Sequence, residues 1–252
     1  MSDFVPLGSA VVAAVFAVTL AAQYSRRRRF HQLIWTVSMS LIALGALLEF
    51  VMSSVNVTGP LFDLYYVSIG PEVGLLGAGV VYLLRPRLGK YVLYAVLVLS
   101  AALVASVFVW PVDISGVVTG VPGPVMTYQQ WFQSSVVNGI SYAVAAFAEV
   151  PRDITQILNG LGALLVIGGG LLSFVMDRKR YYALLIALGA LMNAVGGILL
   201  GVLGDPDVFL YFEFIGIVIF YIGFVMSSRF VFRANPAPSA TSGAAPATLS
   251  DS

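Results

Sequence analysis

Long apolar runs dominate the chain and are broken at short intervals by charged connectors. Seven windows qualify as spans, at approximately 5–25, 31–53, 61–84, 91–110, 155–176, 181–203 and 208–229. A helix rises about 1.5 Å per residue, so about 20 apolar residues match a hydrocarbon core about 30 Å thick. The runs are continuous, unlike the roughly ten-residue alternating strands of a membrane β-barrel. The pattern predicts an all-α membrane protein with seven transmembrane helices.

One connector, 111–154, is long. Its first part, Pro111 to Pro124, is rich in Gly and Pro and reads as loop. Further on, Phe132, Val136, Ile140, Val144 and Phe147 recur at helical spacing, with Gln130, Ser134, Asn138 and Ser141 on the other side. An eighth crossing here would separate Arg178–Arg180 from the other basic loops. The stretch 129–149 is therefore expected as an outer interfacial helix, with a lid over a cavity as the other reading.

Charge placement sets the expected orientation. Arg26, Arg27, Arg28 and Arg29 fill the first connector; Arg85, Arg87 and Lys90 the third; Arg178, Lys179 and Arg180 the fifth. Arg229 and Arg233 follow the last run. Twelve of thirteen basic residues thus lie on alternate connectors, with Arg152 the exception. Positive residues mark the cytoplasm, which places the N-terminus outside and the C-terminus inside the cell membrane. Only Asp3 precedes the first run and four Arg follow it, the reverse of a signal peptide, so the run reads as a retained anchor. The domain plan is a seven-span unit over 1–233, followed by an Ala/Pro/Ser/Thr-rich cytoplasmic tail over 234–252. That tail is expected to be disordered.

Composition narrows the function classes. The chain is 59% hydrophobic and 10% charged, with a mean hydropathy of +0.94. Soluble domains carry about 25% charged residues. A soluble enzyme, a disordered chain and a nucleic-acid binder are excluded. With no Cys and a single His, His31, there is no thiolate metal site, Cys nucleophile or multi-histidine centre, and no metal or cofactor is expected. Gly201-Val-Leu-Gly204-Asp205 is one residue off the Gly-x-Gly-Asp pattern of intramembrane aspartyl proteases and reads better as a turn ending span 6. No catalytic residue is assigned, and an enzyme ranks below the other readings.

Spans 2–3 and 6–7 carry matching landmarks. Leu64-Tyr65-Tyr66 answers Leu210-Tyr211-Phe212; Gly70 and Gly77 answer Gly216 and Gly223; Arg85 and Arg229 close the two halves. These features suggest a 3+1+3 parallel repeat, with halves about 5–84 and 155–229 and span 91–110 as linker. Such repeats are a transporter feature, with the site near their interface. In layout, over about 1–233, the chain resembles the SWEET/PQ-loop carriers and, more distantly, the microbial rhodopsins. The resemblance does not extend to motifs. There is no Pro-Gln pair, and the only lysines, Lys90 and Lys179, lie in connectors where no retinal Schiff base would form.

Acids inside a span are function candidates by default. Counting residues from the basic ends puts Glu72 about 20 Å, Glu213 about 24 Å and Glu49 about 30 Å away. Low dielectric penalises the charged form of any carboxyl, so the deeper pair, Glu72 and Glu213, reads as the proton or cation site. Glu49 and Asp63 lie near the outer boundary and are assigned to an outer vestibule, within reach of headgroups. Tyr65, Tyr66, Ser68, Asn193 and Tyr211 are assigned to the substrate path, with interhelical bonding the competing role for Asn193. Trp35 and Trp110 fit interfacial belts.

The leading expectation is a small-solute carrier, proton-coupled if the deep acids titrate. An acidic outer funnel favours cationic or neutral polar solutes. The alternative is a membrane-embedded sensor or scaffold subunit of a larger complex, without catalytic activity. The expected partners are the bilayer and the solute, with no nucleic acid; a homo-oligomer is compatible with the pattern.

Overall fold

A computed structural model describes residues 4–54, 59–109, 149–203 and 206–234. These form seven helices: α1 (Val5–Arg27), α2 (Phe30–Ser54), α3 (Gly59–Leu84), α4 (Pro86–Val109), α5 (Glu149–Met176), α6 (Tyr182–Leu203) and α7 (Pro206–Ala234). All seven are long and apolar enough to cross a membrane. The expected tail and nearly all of the expected 129–149 helix lie outside the described residues. Glu149 instead opens α5, which starts six residues earlier than expected. Its first turns carry Pro151, Arg152 and Asp153, polar enough to read as connector, and a proline in the first turn gives up no helical hydrogen bond.

Three short connectors carry basic residues: two residues between α1 and α2, one between α3 and α4, and five between α5 and α6. Between α1 and α2 the chain turns on Arg28, whose left-handed backbone (φ 51°) lets its N–H donate to the Tyr24 carbonyl at 2.7 Å. Between α3 and α4 only Arg85 intervenes, and Pro86 starts the new helix with its fixed φ. Between α5 and α6, Asp177 Oδ1 accepts the Lys179 N–H at 3.0 Å and Oδ2 lies 3.3 Å from Arg180 Nε. The bundle therefore has one basic end, where hairpins are tight.

The helices pack as a ring. Neighbours run α1–α2–α3–α5–α6–α7 and back to α1, while α4 lies outside against α3 and α5. Two apolar clusters hold this arrangement. One fastens α4 through Leu93, Val96, Leu103 and Val107, packed with Leu75, Ala78 and Leu158. The other fills the ring near the basic end with Phe16, Trp35, Met39, Leu76, Val166, Phe220 and Phe224. Phe16 is at its centre, with ring centroids 4.8 Å from Phe224, 5.1 Å from Tyr221 and 5.7 Å from Phe220. Trp35, expected in an interfacial belt, is instead 8% exposed and donates its indole N–H to the Leu76 carbonyl at 3.1 Å. An indole N–H in hydrocarbon needs an acceptor, and the neighbouring backbone supplies it.

Where α3 crosses α5, the contact is backbone to backbone. A Cβ on Gly77 would stand 2.8 Å from the Gly162 carbonyl oxygen, and one on Gly162 would stand 2.7 Å from the Gly74 nitrogen. Lipid tails are as apolar as leucine, so close packing of small residues replaces the hydrophobic drive between helices.

Two alanine substitutions on α5 should therefore differ sharply. Gly162→Ala overpacks this crossing and should cost about 2 kcal/mol in reversible unfolding from mixed micelles. At Gly168 a Cβ would meet nothing within 4 Å, and Gly168→Ala should be neutral or stabilising by up to about 1 kcal/mol from helix propensity.

Candidate functional site

Farther from the basic end than the aromatic cluster, the ring encloses a cavity of about 610 Å³. Every helix of the ring lines it and α4 does not. Phe16, Leu76, Val166, Ile217 and Phe220 belong both to the aromatic cluster and to the cavity wall, so the cluster is the cavity floor. Most of the remaining wall is apolar, including Met39, Ile42, Ala46 and Ile69.

Seven polar side chains interrupt that surface: Glu49 from α2, Tyr65 and Glu72 from α3, Gln156 and Asn159 from α5, Asn193 from α6 and Glu213 from α7. Helical spacing explains their company. Ile69, Glu72, Val73 and Leu76 share one face of α3; Phe209, Glu213, Ile217 and Phe220 share one face of α7. The three carboxyls come from three different helices, and none of the lining residues is basic.

Glu49 and Tyr65 are the best-defined pair. Each lies twenty residues from its basic connector, Glu49 beyond Arg29 and Tyr65 before Arg85. Both therefore stand about 30 Å along the bundle. Tyr65 Oη donates to Glu49 Oε1 at 2.6 Å. Glu49 is 3% exposed, so its side chain is turned into the bundle.

The other oxygens of the cluster are open. Glu49 Oε2, Asn159 Oδ1, Asn193 Oδ1 and Glu213 Oε2 are buried with no hydrogen-bond partner among the described residues. Each unpaired buried polar atom costs on the order of 1–3 kcal/mol. Four such oxygens in one cavity make a surface that receives hydrogen-bond donors. Asn193, for which interhelical bonding was the competing role, instead stands over Gly216, where a Cβ would collide with its Oδ1. The acids and His31 of the described residues form no group of three that could hold a metal ion; the carboxyls are spread round the wall.

The expected site residues divide. Glu72, Glu213, Tyr65, Asn193 and Glu49 share the cavity. Tyr66 does not line it: its hydroxyl donates to the Pro151 carbonyl at 3.3 Å, beside α4 and α5. Ser68 is turned back on its own helix, donating to the Tyr65 carbonyl at 2.6 Å. Tyr211 is exposed on the outside of α7, and Asp63 is not part of the wall. Gln156 and Asn159 were missed. Their signal was available in the shared spacing of Gln156, Asn159, Gly160, Ala163 and Ile167 on one helical face.

A double-mutant cycle checks the Glu49–Tyr65 contact. Glu49→Gln and Tyr65→Phe should each destabilise the protein, with a coupling between them of about 1–2 kcal/mol by unfolding in micelles; additive effects would mean that the hydroxyl and carboxyl do not meet.

Comparison with protein-family models, with characterised proteins and with solved structures finds no match to this chain.

Proposed function

We propose that the protein is a small-solute carrier of the cell membrane, with the basic end in the cytoplasm. Its central cavity takes a cationic or donor-rich neutral solute at Glu49, Glu72 and Glu213, and proton exchange at Glu72 and Glu213 accompanies passage. One observation carries this reading: three carboxyls on three helices face one cavity that holds no basic side chain. A donor-bearing solute offers what the unpaired oxygens of Glu49, Asn159, Asn193 and Glu213 lack.

The packing order supports a duplicated origin. Helices α1–α2–α3 and α5–α6–α7 each pack in chain order, the two sets meet at α3–α5 and α7–α1, and α4 stays outside as a linker. A site at the interface of two such halves is where parallel-repeat carriers hold their substrates. The aromatic floor closes the route to the basic end, so this conformation faces away from the cytoplasm. Passage requires Phe16, Phe220 and Phe224 to part.

Guanidinium is a suitable first probe, being permanently charged and rich in N–H donors. Purified full chain in proteoliposomes should take it up saturably, at a rate set by an imposed pH gradient. Glu72→Gln and Glu213→Gln should each cut that rate by about tenfold, the equivalent of one charge-assisted contact of about 1.5 kcal/mol. Uptake no faster than in empty liposomes, or uptake indifferent to both substitutions, would overturn the proposal.

A further inference from the structure

Among the described residues, the cavity wall is incomplete on one side. Helices α5 and α6 are antiparallel and touch near the basic end, where a Cβ on Gly170 would stand 2.7 Å from the Ala183 carbonyl oxygen and 2.9 Å from the Ala187 Cβ. Ten residues farther along each helix, Gly160 on α5 and Gly197 on α6 both line the cavity, and a Cβ on either would meet nothing within 4 Å. Ten residues correspond to about 15 Å of helix. The two helices thus splay from a closed end into a cleft. Leu164 and Ile198, one from each helix, line the cavity while remaining 67% and 65% exposed. Both helices are long and apolar enough to span the membrane, and that placement would set the cleft against lipid.

An opening of this kind has an apolar rim and leads to acceptor oxygens. Glu49, 3% exposed and with Oε2 unpaired, faces the same cavity. The two chemistries together describe an amphiphile. We propose that the cavity admits a single-chain cationic amphiphile from the bilayer through the α5–α6 cleft. The protonated amine head sits among the carboxyls, and the alkyl tail lies between Leu164 and Ile198. The assignment of the head rests on the carrier reading above; that of the tail and the route rests on the cleft alone. A ligand arriving this way is concentrated by partition into the membrane before it meets the site.

Two probes with one head separate these claims. Ethylammonium tests the head site and dodecylammonium the tail. Binding is measured on the full chain in zwitterionic nanodiscs, against free aqueous concentration and after subtraction of empty nanodiscs. Dodecylammonium should bind about tenfold tighter than ethylammonium or better. Gly160→Leu combined with Gly197→Leu should abolish that advantage, bringing the affinity for dodecylammonium down to that of ethylammonium for the same variant, since both new side chains enter the open space of the cleft. Equal affinity for the two probes in the unsubstituted protein would overturn the proposal without any variant. So would an advantage that survives the paired substitutions. If ethylammonium binds no better to the unsubstituted chain than to Glu49→Gln, Glu72→Gln and Glu213→Gln combined, the carrier reading falls and the head assignment falls with it, while the dodecylammonium advantage and its loss in the paired glycine variant still decide the tail and the route.

Discussion

Hydrocarbon offers no hydrogen bonds, and that constraint organises the whole bundle. A polar group inside a span must find its partner in the protein or remain unsatisfied. Over much of the bundle it is met across helix pairs. Trp35 donates to the Leu76 carbonyl, Ser38 to the Glu72 carbonyl at 2.6 Å, and Tyr66 to the Pro151 carbonyl. Each bond fixes the rotation of one helix against its neighbour. Inside the cavity the rule lapses for Glu49, Asn159, Asn193 and Glu213. Among the described residues, four acceptor oxygens without hydrogen-bond partners thus gather in one chamber, where a ligand can meet them.

The same constraint divides the ring into two layers. Near the basic end, aromatic side chains pack closely around Phe16, with the Trp35 indole bonded to the Leu76 carbonyl. Farther along, small residues and carboxyls take over and a chamber opens. Rigid packing at one end and unfilled space at the other is the asymmetry expected of a protein that presents a site to one side at a time. Backbone contacts at Gly77–Gly162 and Gly189–Gly216 draw α3 to α5 and α6 to α7. Gly170 brings α5 against Ala183 and Ala187 of α6, whereas a Cβ on Gly160 or Gly197 would enter open space.

Span number and basic-end hairpins were legible in the sequence because bilayer thickness sets run length and loop charge follows topology. Rotation was harder to read. Tyr65 and Tyr66 are chemically alike, but one residue turns a helix by about 100°, which sends Tyr65 to the cavity and Tyr66 toward α4 and α5. Depth alone does not give the partner of Glu49, since distance from the basic end does not reveal that Tyr65 stands opposite. Gln156 and Asn159 lay inside the expected span 155–176 but, as uncharged amides near its start, carried less weight than the acids.

The central claim is that Glu49, Glu72 and Glu213 share one chamber, and carboxyl modification tests it most directly. A lipophilic carbodiimide can be applied to the full chain in bilayers and its adducts mapped residue by residue with mass spectrometry over time. The account predicts that all three glutamates react, that the first bulky adduct slows the other two, and that ethylammonium protects them together. Three adducts accumulating independently on single chains, or reaction confined to Asp153 and Asp207 with the three glutamates untouched, would contradict it.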